Sequence, residues 1–133
     1  ARKSEPVANK DSLKNGKEVA QVPAYLQTLF RPSVQPYLIS WYKYNPQTVI
    51  ASLKMPILIL QGKKDIQVQE EEAARLKKAS PQAELILIDK MNHVLKDCES
   101  INPQQQMAVY NNPSLPVNAA LINAIAEFIK KNK

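Results

Sequence analysis

The sequence holds one cysteine, Cys98, so no disulfide can form within the chain. A disulfide-stapled scaffold is excluded, while the compartment stays open between cytoplasm and periplasm. One histidine and one cysteine cannot make a Cys/His zinc set, so no metal is expected. Glycine is nearly as scarce, at Gly16 and Gly62. Gly62-Lys63-Lys64 lacks the upstream glycine of a phosphate loop, and no cofactor is expected. No apolar run approaches the roughly 18 residues of a membrane-crossing helix, so no membrane span is expected. The start, Ala1-Arg2-Lys3-Ser4-Glu5, has neither an initiator Met nor an apolar signal core, and reads as that of a processed or cut chain.

What is present is ordinary for a globular protein that buries a core: 133 residues, 44% of them hydrophobic and 23% charged. Ten prolines against two glycines favour stiff loops and helix starts over a flexible linker. The net charge of +6 raises the question of nucleic acid. Its cations are dispersed, the densest group being Lys130, Lys131 and Lys133 at the end, and no aromatics interleave with a basic stripe. A solvated surface is the expectation, with no nucleic-acid partner.

Residues 1–20 are polar and read as a lead-in with one short helix. Residues 22–54 read as helical pieces. Pro36 can open a helix to about Lys43, and Asn45-Pro46 a second, with Asn as cap and Val49, Ile50 and Leu53 on one face. The aromatic group Tyr37, Trp41, Tyr42 and Tyr44 lies here. Core packing is its default reading; a substrate-pocket wall is the other, with Tyr37 and Trp41 as candidate substrate-binding residues.

From residue 55 the pattern changes. Pro56-Ile57-Leu58-Ile59-Leu60-Gln61-Gly62 is a short apolar run without alternation, which predicts a strand covered on both faces. A helix follows over 69–79, with acids first and bases last, as the helix dipole favours, and with Glu71–Arg75 as an i,i+4 pair. Ser80-Pro81 stops it, and Leu85-Ile86-Leu87-Ile88 is a second apolar strand. Residues 97–116 read as a polar loop. A closing helix starts near Asn118, with Leu121, Ile122, Ile125, Phe128 and Ile129 on one face. The fold class is therefore α/β, with two or three parallel strands and flanking helices. Residues 1–54 form a lead-in and helical region, and 55–133 the sheet-bearing part.

Strand, helix and strand in succession make parallel neighbours whose ends share one edge of the sheet, where open α/β sheets place their sites. Asp65 follows the first strand and His93 the second. A carboxylate beside a histidine can fix the ring's tautomer and free the other nitrogen to take a proton. Separately, Asp65 reads as a turn former and a sole histidine as structural; their joint placement makes them candidates.

These two loops resemble the α/β-hydrolase family. Pro56 through Asp65 is similar to the strand that delivers the triad acid, and Glu84 through Met91-Asn92-His93 to the one that delivers the histidine. Acid before histidine is the family's chain order. Asp65-Ile66-Gln67-Val68 with its following helix fits bacterial branches that resemble serine peptidases and esterases. The resemblance spans about residues 20–131. It implies a helical cap over 20–54, Asp65 as orienting acid, His93 as general base, and a small-molecule ester, amide or other acyl substrate.

The family's nucleophile elbow, Gly-x-Ser-x-Gly, occurs nowhere in the chain, and the adjoining oxyanion-hole donor is missing with it. The expectation is the C-terminal part of a serine hydrolase, inactive alone. Cys98 as substitute nucleophile is disfavoured, because nothing around it marks an elbow or an activated thiol. The alternative is a non-catalytic α/β module for binding or oligomerisation, with Asp65 and His93 as a structural pair. In such a fragment a few apolar strands leave an edge and a face to be covered, so self-association is expected. Light scattering should show a species heavier than one chain, with hydrophobic-dye binding; a clean monomer that binds no dye contradicts this.

Overall fold

The computed structural model describes residues 5–133, with side chains described from Lys10 onward. Two compact units divide between Val49 and Ile50.

The first unit is helical. Helix α1 (Glu5–Lys14) ends at Gly16, whose φ of 71° is accessible to glycine without a Cβ penalty. Gly16 N–H donates to Leu13 O and Lys17 N–H to Ser12 O, which satisfies two carbonyls left over at the helix end. A single 3₁₀ turn (Ala24–Leu26) leads into α2 (Gln27–Phe30), and another (Pro32–Val34) into α3 (Gln35–Tyr42). Gln35 is buried at the start of α3. Its Nε2 donates to Val19 O at 2.8 Å and Phe30 O at 2.7 Å, and its Oε1 accepts from Val19 N–H at 2.7 Å. Leu13, Val22 and Leu26 are the buried apolar residues here. The expected aromatic core is not found: Tyr37, Trp41 and Tyr44 are 56%, 62% and 71% exposed. Tyr37 and Trp41 pack on each other in α3, and the interior is left to smaller aliphatics and Gln35. Helix α4 (Pro46–Ser52) opens as expected, with Asn45 Oδ1 accepting from Gln47 N–H at 2.9 Å.

The second unit is mixed α/β. Strand β1 (Leu58–Gly62), helix α5 (Glu70–Ala79) and strand β2 (Glu84–Ile88) follow in order, and the strands pair in parallel from Leu58↔Glu84 to Gly62↔Ile88. Residues of alternate strand positions point to opposite faces. Ile59 packs with Ala73 of α5 and Ala83, joined by Ile50, Ile57, Leu76 and Leu85. Leu60 and Ile88 pack with Met91 and Leu121 of α7 (Ala119–Lys131). Helices thus back both faces. Full burial of one such aliphatic side chain contributes about 1.5–3 kcal/mol.

Four expectations need correction. Arg75 pairs with Glu72 at 2.7 Å, not with Glu71, an exposed ion pair of little energetic weight. The strands are not covered throughout, because two helices cannot blanket both faces: Ile86 and Leu87 of β2 are 37% and 39% exposed. The apolar face of α7 is likewise only partly used, with Leu121 buried and Ile122, Ile125 and Ile129 exposed. Finally, the stretch 97–116 contains helix α6 (Pro103–Tyr110), capped by the Asn102 side chain on the N–H groups of Gln104 and Gln105. Among the described residues no helix is long and apolar enough to cross a membrane.

Candidate active site

The parallel ladder delivers the two loops to one edge and continues into them. Lys63 N–H donates to Ile88 O at 2.9 Å, and Lys64 N–H to Met91 O at 3.0 Å. Such closeness needs Gly62, where a Cβ would lie 2.1 Å from Met91 O. Asp65 follows at once. Its Oδ1 accepts from Gln67 N–H at 2.8 Å and Val68 N–H at 2.9 Å, the local turn that aspartate favours. Gln61, buried at the end of β1, fixes the far side of this loop by donating to Val68 O at 2.9 Å.

His93 occupies the tip of a tight loop after β2. Met91 and Asp97 form an antiparallel bridge at its base, and Asn92 N–H donates to Lys96 O at 3.0 Å. Asn92 Oδ1 accepts from Lys96 N–H at 3.1 Å. The turn requires a left-handed residue, and Leu95 takes it with φ 61°, held by Asn118 N–H on Leu95 O at 2.8 Å. Left-handed backbone costs a residue with a Cβ about 1–2 kcal/mol, which the surrounding bonds offset.

The second carboxylate oxygen, Asp65 Oδ2, lies 2.9 Å from His93 Nδ1. The Asp65 side chain is 9% exposed and that of His93 39%. Burial pushes the Asp65 carboxyl up. The N–H of Val68, the His93 ring and the N–H of Gln67 together outweigh it and hold the carboxyl below its ordinary 3.8. An ionised Asp65 favours a proton on Nδ1, leaving Nε2 as an acceptor. Among the described residues Nε2 has no hydrogen-bond partner. The arrangement can therefore take up a proton at Nε2 and stabilise the imidazolium that results.

An open hollow of about 500 Å³ adjoins Asp65, lined by Gly62, Lys63, Gln69, Glu70 and Glu71; His93 does not line it. Its polar walls do not make an acyl pocket. Tyr37 and Trp41 belong to the first unit, with ring centroids 4.9 Å apart. Cys98 is buried and donates to Ser100 O at 3.2 Å. No group of His, Cys, Asp and Glu among the described residues could hold a metal.

The sequence reading missed the polar side chains that hold these loops: Gln61, Asn92, Gln106 and Tyr110. Asn102-Pro103 was the available signal for α6, the same pairing that opens α4. Comparison with protein-family models, curated proteins and solved structures returns no match.

Two outcomes follow. Gly62→Ala must push strand and loop apart, with an expected cost of about 2 kcal/mol in urea unfolding; an unchanged midpoint contradicts the close approach. For Asp65 the folded pKa lies below the unfolded one. Its ionised form thus stabilises the fold above pH 3.8, and that contribution is lost as pH falls through the lower folded value. The difference in unfolding free energy between wild type and Asp65→Asn should be full above about pH 4 and close in stronger acid. A difference that persists unchanged through acid contradicts the assignment.

Proposed function

We propose that this chain is the C-terminal part of a serine hydrolase of the α/β-hydrolase fold, acting on ester, amide or other acyl substrates. The observation that carries the reading is the 2.9 Å contact of His93 Nδ1 with Asp65 Oδ2 at the C-terminal edge of two parallel strands, with Nε2 open. In this reading His93 accepts the proton of a serine hydroxyl at Nε2 as the oxygen attacks the acyl carbon, and returns it to the leaving group. Asp65 stays ionised, fixes the tautomer and stabilises the imidazolium. Its carboxyl, held below the usual value, suits that part.

The serine and its oxyanion donors have to come from outside these 133 residues, since no Gly-x-Ser-x-Gly occurs among them. Residues 20–54 correspond to a helical cap in this reading, with Tyr37 and Trp41 as substrate-facing residues. The exposed Ile86 and Leu87 are consistent with a sheet that continues elsewhere, or with self-association of the chain.

The test is nitrophenyl ester hydrolysis by this chain and by the full product of its gene. The chain alone should show no turnover. The full product should extend upstream to a Gly-x-Ser-x-Gly, hydrolyse the ester, and lose roughly four orders of magnitude in kcat in Asp65→Asn. Turnover by the chain alone that His93→Ala abolishes, or an upstream sequence with no elbow, contradicts the proposal. The second result favours a non-catalytic binding or oligomerisation module.

A further inference from the structure

Gln106 of α6 is 0% exposed, an unusual place for a glutamine. Its Nε2 donates to Lys64 O at 2.9 Å and to Ser100 O at 2.6 Å. Its Oε1 accepts from Asn92 Nδ2 at 3.4 Å. Lys64 is the residue before Asp65, and Asn92 the residue before His93. One buried side chain therefore touches the peptide leading into Asp65 and the side chain of the residue before His93.

The network admits one arrangement. Lys64 O and Ser100 O can only accept, so Nε2 has to face them and Oε1 has to face Asn92. Lys96 N–H can only donate, so Asn92 turns Oδ1 to it and Nδ2 to Gln106. Flipping either amide breaks the set. Enclosed from water, these bonds gain strength and leave costly orphans when broken. Helix α6 is tied to the acid loop a second time, where Gln67 Nε2 donates to Tyr110 Oη at 2.9 Å.

We propose that Gln106 is a positioning residue, which sets the spacing of the acid and histidine loops and so holds the Asp65–His93 hydrogen bond. The inference rests on reading that pair as a proton-handling couple. A hydrogen bond at 2.9 Å weakens steeply as its groups drift apart or tilt, so the register of the loops decides whether Asp65 governs the ring.

His93 is the sole histidine, which makes its ring nitrogens directly assignable in a ¹⁵N-labelled chain. The tautomer ratio is read at a pH where the ring is neutral. In wild type the Nδ1–H form should dominate. In Gln106→Met, which fills the space without the amide, the ratio of Nδ1–H to Nε2–H should fall by roughly tenfold, the equivalent of one hydrogen bond to a charged acceptor. If that variant does not fold, Gln106→Asn, one methylene too short to reach both loops, should give the same fall. Ile59→Val, which opens the core on the α5 face, should lower stability and leave the ratio alone. A folded Gln106 variant with the wild-type ratio, or an equal fall in Ile59→Val, overturns the role of Gln106 while leaving the pair intact. A wild-type ring without Nδ1–H preference overturns the pair itself, and this proposal with it.

Discussion

The parallel ladder of β1 and β2 is the constraint on which the rest depends. Its register, with Gly62 opposite Ile88, brings two chain segments 28 residues apart out at one edge. An antiparallel pairing would send the loops to opposite ends of the sheet. Continuation of the ladder through Lys63 and Lys64 carries that alignment to the residue before Asp65, and the missing side chain of Gly62 lets the Met91 carbonyl come close enough to receive it.

Around this ladder the forces divide. Aliphatic packing holds the strands to α5 and α7, and buried amides hold the loops. Gln61 closes the acid loop from below, while Asn92 and Gln106 bind the histidine loop and the acid loop to α6. Each amide satisfies backbone groups that no strand or helix pairs, which irregular buried segments require. Apolar cover, by contrast, is incomplete. Ile86, Leu87, Ile122, Ile125 and Ile129 face solvent in a sequence that shapes them for an interior. The loops are thus more fully determined than the sheet that presents them.

The parts legible in the sequence are those whose residues answer to a single local force. Unbroken apolar runs gave away both strands, acids before bases marked α5, the Asn45 cap marked α4, and apolar residues at helical spacing marked α7. Asp65 and His93 followed from their positions just beyond strand ends. Helix α6 was missed because Pro-Gln-Gln-Gln-Met-Ala-Val-Tyr carries almost no apolar periodicity, although Asn102-Pro103 announces its start. Gln106 was missed for a related reason: composition places a glutamine on the surface, and only tertiary hydrogen bonding draws it inside. The exposed aromatics of α3 show the converse, since ring type alone does not decide burial.

The central claim is that the Asp65 carboxylate binds the His93 ring through Nδ1. The most direct measurement is the imidazole N–H proton spectrum of the chain in water, compared between wild type and Asp65→Asn. The account predicts a low-field Nδ1 proton, protected from exchange, that is present in wild type and gone in the variant. Its absence from wild type, or identical spectra for the two proteins, would contradict the account.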